Sequence, residues 1–346
     1  MSETGSKNAD PTVRPHKRWG RLWQRVRATV ADPAANLLQL PVLGELAAAV
    51  VPARTPPVLI ASLPRAGSSW IGRVLGGSPG ALYLREPMTQ SYLDHIGRAN
   101  PPFFEWPMCR DGEAYDRFAT RSFRGVPRFG DTVVPDPAQW SIGKRRQRQV
   151  VVKDVNPLIL ARLHERHRPK IILLMRHPAA VARSFHALGW TGDQFTTRFT
   201  PETLAAFDRV HPLPLQGNFW EQAGAFQAMA QKLVSNQLAG VDHLIVRYED
   251  VCAEPVRQFE KMFEFCGLPF SADTRREIEQ SSQAQPDYRP GRYDTRRRSL
   301  DMVDRWKGDM APEDIESVRR NYLAYRPAFY AEPADWPEAG MSGPYV

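Results

Sequence analysis

Pro57–Trp70 reads P-V-L-I-A-S-L-P-R-A-G-S-S-W. Val58–Ala61 is a short apolar run, the pattern of a strand covered on both faces in a parallel sheet. The run breaks at Leu63-Pro64. A cation (Arg65), a glycine (Gly67) and two hydroxyls (Ser68, Ser69) follow. Trp70, Ile71, Val74 and Leu75 then share one helical face. Strand, small polar loop and helix start make an anion cradle, because unpaired backbone N–H groups and the positive end of the helix dipole meet at the loop. An ordinary serine-capped turn has the same outline, so the loop alone decides nothing.

The flanking chain adds weight. Further strands are expected at Ala81–Leu84, Val150–Val152, Lys170–Met175 and His243–Val246. Helices are expected after Asn156-Pro157, where the asparagine caps and the proline opens the first turn, after Pro178, and over Phe219–Leu238, Pro255–Cys266 and Pro312–Tyr322. Strands alternating with helices predict an α/β fold with a P-loop-like parallel sheet flanked by helices. Ligands of such sheets lie beyond the carboxyl ends of the strands. Arg65, Glu86, Lys153, Arg176 and Arg247–Asp250 each follow an expected strand closely, so charge converges on that edge. Residues 88–149 read as an irregular insertion and residues 189–218 as a loop, and both are expected to shape recognition. Lys144–Arg148 (K-R-R-Q-R) reads as a solvated basic run, with an acidic acceptor site as the second reading.

Composition bounds the setting. The 346 residues suit one large domain with extensions or two small ones. Lys and Arg number 46 against 38 Asp and Glu, a formal charge of +8 that favours anionic partners. The three cysteines, Cys109, Cys252 and Cys266, show neither metal spacing nor a disulfide framework. The polar start and the lack of a ~20-residue apolar run predict a soluble, cytoplasmic protein. His16–Val30 (H-K-R-W-G-R-L-W-Q-R-V-R-A-T-V) puts Trp19, Leu22, Trp23, Val26 and Val30 on one face, the pattern of a helix on an anionic membrane; packing on the main domain is the other reading. Residues 1–56 are assigned to this tail, with a Pro-rich linker at Pro52–Pro57, residues 57–330 to the main domain and 331–346 to a second tail.

A Walker loop needs G-x-x-x-x-G-K-[ST]. Pro64–Trp70 has one glycine, no following lysine and its cation two residues before the glycine, which argues against a magnesium–triphosphate site. Pro64-Arg65-Ala66-Gly67-Ser68-Ser69-Trp70 resembles instead the 5′-phosphosulfate loop of sulfotransferases that use 3′-phosphoadenosine-5′-phosphosulfate (PAPS). Arg176–Ser184 (R-H-P-A-A-V-A-R-S) resembles their 3′-phosphate motif. Arg247-Tyr248-Glu249-Asp250, with Pro255 and the helix after it, resembles a third shared block. The runs S-S-W-I-G-R-V-L-G-G-S-P-G-A-L-Y-L-R-E-P and V-V-V-K-D-V are most similar to the carbohydrate branch of that family.

The resemblance implies a sulfotransferase-type fold and a role for each residue. Arg65, Ala66, Gly67, Ser68 and Ser69 hold the 5′-phosphosulfate. Trp70 packs on adenine or simply in the core, and Tyr248 lies near adenine or under the sheet edge. Arg176 and Ser184 hold the 3′-phosphate. Arg298, in the arginine-rich loop Asp287–Arg298 before Trp306-Lys307-Gly308, is placed near the cofactor. The small-phenol branch carries a histidine base where this chain has Val155. The carbohydrate branch uses a glutamate after the second strand, here Glu86. Its apolar flanks, Leu84 and Pro87, are expected to raise its pKa; an ion pair with Arg65 or Lys153 is the other reading. Lys153, with Arg65, is a candidate to steady the charge that develops. PAPS is the implied donor, with no metal. The implied acceptor is a hydroxyl of a glycan or glycolipid, and no nucleic acid. A nucleotide-dependent P-loop kinase and a non-catalytic membrane-docking module of the same fold are the competing readings.

Overall fold

The computed structural model describes residues 37–38, 40–98, 103–127, 132–136, 142–282 and 303–337. The stretch His16–Val30 and the loop Asp287–Arg298, with Arg298 itself, lie outside the described residues. β1 (Arg54–Ala61), β2 (Ala81–Arg85), β3 (Gln149–Asp154), β4 (Lys170–Met175) and β5 (His243–Arg247) form a parallel sheet in the order β2-β3-β1-β4-β5. β1 is central, paired with β3 on one side and β4 on the other. The loop leaving β1 therefore opens between two strands whose own loops leave in the same direction, the crevice where such sheets bind ligands.

Helices cover both faces. In chain order they are α1 (Pro41–Val50), α2 (Ser68–Gly76), α3 (Pro87–His95), α4 (Gly112–Phe123), α5 (Leu160–His167), α6 (Pro178–His186), α7 (Asp193–Thr196) and α8 (Pro201–Asp208). α9 (Phe219–Gln237), α10 (Tyr248–Ala253), α11 (Pro255–Cys266), α12 (Ala272–Ser282), α13 (Arg305–Asp309) and α14 (Pro312–Leu323) follow. Alternate strand residues point to opposite faces. Leu59, Ala61, Val152 and Leu173 join one core with Phe185, Phe226 and Tyr322, while Val58, Ile60, Val151 and Ile172 join the other with Trp70, Phe259 and Phe263. Apolar demand on both faces is why these strands read as continuous apolar runs.

Several expectations need correction. β1 begins at Arg54, so part of the expected Pro-rich linker is strand. Pro56 and Pro57 cannot donate to a ladder, and the β1–β3 register shifts between Arg54 and Val58, which accommodates them. Residues 88–149 are not irregular throughout: they contain most of α3 and all of α4. The first-turn N–H groups of Met88 and Thr89 each donate to the Asp154 carboxylate at 3.2 Å, a cap supplied from β3. α4 takes its cap from Asp111, which accepts from the Ala114 N–H at 2.9 Å. The 189–218 loop contains α7 and α8. Arg145 is not solvated but 2% exposed, donating to the carbonyls of Val51 at 2.7 Å, Gly125 at 3.2 Å and Arg124. Among the described residues no helix is long and apolar enough to cross a membrane.

Candidate active site

The loop between β1 and α2 takes its shape from two left-handed residues, Arg65 (φ 71°) and Gly67 (φ 97°). A Cβ on Gly67 would lie 2.4 Å from the Tyr248 ring, so only glycine permits this approach. Ser62 Oγ donates to Ser68 Oγ at 2.9 Å and ties the strand end to the helix start. α2 has no side-chain cap, which leaves the N–H groups of its first turn directed into the loop.

Two motifs far apart in sequence meet here. Arg65 Nε donates to Ser184 Oγ on α6 at 2.9 Å. Arg176 Nη1 donates to the Arg65 carbonyl at 3.0 Å, and its guanidinium lies 4.6 Å from the centre of the Tyr248 ring. Arg65, Gly67, Arg176, Ser184 and Tyr248 thus form one cluster at the carboxyl ends of β1, β4 and β5. Trp70 is buried beside it, edge-on to Tyr248 at 6.4 Å and to Phe259 at 5.4 Å, with its indole N–H on Ser281 Oγ at 2.9 Å. Core packing accounts for those contacts.

Glu86 and Lys153 form the second cluster. Glu86 is left-handed (φ 50°) and opens α3, its N–H donating to the Lys153 carbonyl at 2.5 Å. The Lys153 ammonium donates to Glu86 Oε1 in an ion pair. This corrects the expected rise in pKa. Burial does push the Glu86 carboxyl up, but the charge and hydrogen bond of Lys153, helped by Arg85 and Gln90, outweigh it and hold the group below the usual range. Its ion partner is Lys153 and not Arg65.

Sequence reasoning did not show how the groups around these clusters hold them. Asp154, fully buried, fixes α3 and with it Glu86. Its carboxyl is pushed up by burial, and neighbouring Glu86 adds to the rise. Glu249 accepts from the His177 N–H at 3.0 Å and from Tyr330 OH at 2.6 Å, while Arg247 donates to Asp335 Oδ1 at 2.9 Å. His177 Nδ1 accepts from the Ala179 N–H at 3.2 Å and so caps α6; Nε2 then carries the proton and donates to the Asp335 carbonyl at 2.9 Å. Its ring stacks on Trp306 at 4.3 Å and meets Trp336 edge-on at 4.5 Å. Burial pulls His177 down to about 3, so the ring is neutral. Trp306 therefore lies directly behind the Arg176 turn. The blocks Arg176–Ser184 and Arg247–Asp250 were legible in the sequence, but their ties to Trp306, Tyr330 and Asp335 have no readable spacing.

A family model described as a sulfotransferase domain matches residues 55–323. Carbohydrate sulfotransferase 1 of Rattus norvegicus is 29% identical over 65 residues, 19% of this chain and 16% of that protein. Carbohydrate sulfotransferase 3 of Homo sapiens is 31% identical over 68 residues, 20% of this chain and 14% of that protein. The chain thus aligns with less than a fifth of the length of these relatives. Among solved structures, the sulfotransferase domain from the curacin biosynthetic pathway has a TM-score of 0.44 and 17% identity, over 78% of this chain and 97% of that one. A mouse sulfotransferase complexed with PAP has a TM-score of 0.36 and 15% identity, over 78% of this chain and 85% of that one.

Proposed function

The chain belongs to the sulfotransferase domain family, and on that premise we propose that it moves the sulfuryl group of PAPS to a hydroxyl of a carbohydrate-type acceptor, a glycan or glycolipid, with Glu86 as general base. The observation that carries the reading is the Arg65–Ser184 hydrogen bond. It sets the loop after β1 beside α6, so that one ligand with two anionic ends meets two arginines at once. The residues suit such a ligand. Arg65 and Arg176 supply cations, Ser68 and Ser69 supply hydroxyls, the first turn of α2 supplies N–H donors, and Gly67 leaves the loop open. The carbohydrate acceptor is supported by the names of the short curated matches.

When bound, PAPS supplies the sulfuryl group and the phosphate that leaves. Arg65, Ala66, Gly67, Ser68 and Ser69 would hold its 5′ end, Arg176 and Ser184 its 3′-phosphate, with Arg298 a further candidate, and Trp70 and Tyr248 would border the adenine. Glu86 accepts the proton of the acceptor hydroxyl. Lys153 keeps that carboxylate ionised and fixes its direction, at the cost of some basicity. Arg65 and the loop N–H groups would face the oxygen on which charge develops, and losing one such donor typically costs roughly 10²–10³-fold in turnover. A cytoplasmic setting, with His16–Val30 touching an anionic membrane, completes the proposal.

The test is transfer of labelled sulfate from PAPS into a panel of glycans, glycolipids, phenols and peptides. Label enters a glycan or glycolipid, and Glu86→Gln loses roughly 10²–10⁴ of turnover with nucleotide affinity kept. Label in phenols alone removes the carbohydrate acceptor. Full turnover in Glu86→Gln removes the base.

A further inference from the structure

α1 is inverted relative to an ordinary surface helix. Its small residues, Gly44 and Ala48, are buried against the protein, and a Cβ on Gly44 would lie 2.4 Å from the Leu38 carbonyl oxygen. Its large apolar side chains point the other way. Val42 is 77% exposed, Leu46 59% and Val50 60%, and Leu37, Leu40 and Leu43 are exposed as well. Val42, Leu46 and Val50 follow one another at spacings of four, with Leu43 three before Leu46, so they share one helical face. A surface helix normally buries its large apolar side chains and shows its polar ones to water. Single exposed apolar residues need no explanation; a contiguous stripe of them marks a surface that meets something.

The same helix ends at a basic cluster. Arg146 Nη2 donates to the Val50 carbonyl at 3.1 Å and Arg145 Nε to the Val51 carbonyl at 2.7 Å, so the short helical turn Ile142–Gln147 seats against the end of α1. That places the exposed Lys144 and Arg146 near the end of the apolar stripe. Arg54, also exposed, joins them, because its N–H donates to the Arg148 carbonyl at 2.7 Å. Charge separates the candidates to cover the stripe. The segment His16–Val30 carries five Lys and Arg and no Asp or Glu, so packing it on α1 would set cations beside cations. A second copy of α1 brings one acid, Glu45, which is already held by Arg124 at 2.7 Å and Arg121 at 3.5 Å. An anionic lipid surface answers both parts, with acyl chains for the stripe and headgroup charge for the cations.

We propose that α1 is a membrane-docking element: Val42, Leu46 and Val50 enter the headgroup region of an anionic bilayer while Arg54, Lys144 and Arg146 meet its charged headgroups. The surface lies toward the amino edge of the sheet, where β1 and β3 begin, so docking leaves the crevice at the carboxyl ends clear. The proposal rests on the membrane setting of the proposed function and not on its sulfuryl transfer, and it adds to His16–Val30 a helix seated on the domain itself.

The experiment is co-sedimentation of the full chain, without nucleotide or acceptor, with vesicles of phosphatidylcholine alone and of phosphatidylcholine with phosphatidylserine. Wild type is compared with Val42→Gln/Leu46→Gln, Lys144→Gln/Arg146→Gln and Trp19→Gln/Trp23→Gln; glutamine keeps the helix propensity of α1. Wild type partitions onto the phosphatidylserine vesicles, and added salt weakens it. Val42→Gln/Leu46→Gln lowers that partitioning by about tenfold or more, and Lys144→Gln/Arg146→Gln lowers it and flattens the salt dependence. Without vesicles, Val42→Gln/Leu46→Gln melts no lower than wild type, because the stripe already faces water. A lower melting temperature overturns the proposal, since it shows the stripe packed under this chain or a second copy. So does no partitioning by wild type, equal partitioning onto both kinds of vesicle, or wild-type partitioning by either the Val42/Leu46 or the Lys144/Arg146 variant. Loss in Trp19→Gln/Trp23→Gln alone refers the contact to His16–Val30 and likewise overturns the role of α1, while loss in the Val42/Leu46 variant alone supports α1 and removes that segment. Failure of sulfate transfer from PAPS leaves all of these results standing.

Discussion

Glu86 is held by opposing forces. Burial disfavours its charge, and the Lys153 ammonium restores it with enough to spare that the carboxyl lies below the usual range. If Glu86 is the base, its ionised form is the active one, and the rate falls as pH drops through its pKa. In wild type that acid limb lies low. Lys153→Met removes the largest opposing influence, burial then prevails, and the limb moves to higher pH. The pH profile of kcat/KM for both proteins measures this, and an acid limb that stays in place separates Glu86 from the chemistry. The place of Glu86 just after β2 was legible because the apolar run before it reads as a strand. Its pairing was not, because Leu84 and Pro87 flank it in sequence while Lys153 lies 67 positions away and reaches it only through β2–β3 pairing.

α2 and α6 have their N-termini at the same edge of the sheet, and each solves its capping differently. α2 starts on Gly67 with no side-chain cap, which leaves its donors for a ligand. α6 starts on His177, whose neutral ring caps the helix and anchors the Asp335 carbonyl. In the folded protein His177 stays unprotonated down to about 3 instead of the usual 6.5. The unfolded chain therefore binds a proton that the folded one refuses. Stability is full above about 6.5 and is lost as pH falls toward the folded value. His177→Asn keeps a capping oxygen and removes the titrating ring. Denaturant melts across pH 7.5 to 4.5 are expected to give a lower stability at the high end and a pH slope smaller by about one proton. An unchanged slope places the acid sensitivity elsewhere. α3 escaped the sequence reading for a related reason. Asp154, a residue of β3, caps α3 from across the fold, and P-M-T-Q-S-Y-L-D-H has little helical periodicity of its own.

Across the molecule, the parallel sheet was legible because strands covered on both faces are apolar throughout, as in Lys170–Met175. The motifs at their ends were legible because each sits on a strand-to-helix turn. What escaped was long-range: the Arg65–Ser184 bond across 119 positions, Glu249 bridging His177 and Tyr330, and Asp335 held by Arg247. These contacts have no local spacing to read. They also tie the C-terminal residues around Trp336 to the back of the Arg176 turn, so the expected tail carries part of the site's support. In the proposed function the β1 loop and α6 together hold one nucleotide with phosphates at both its 3′ and 5′ ends. A ligand that binds only the folded state raises its melting temperature, by an amount that grows with the logarithm of its concentration over its Kd. Melting the protein with 3′-phosphoadenosine 5′-phosphate and, separately, with ATP and Mg²⁺ is the most direct measurement. The 3′-phosphorylated nucleotide is expected to stabilise the protein and Arg176→Met to remove that stabilisation; stabilisation by ATP and Mg²⁺ alone would rule out a shared 3′,5′-phosphate site.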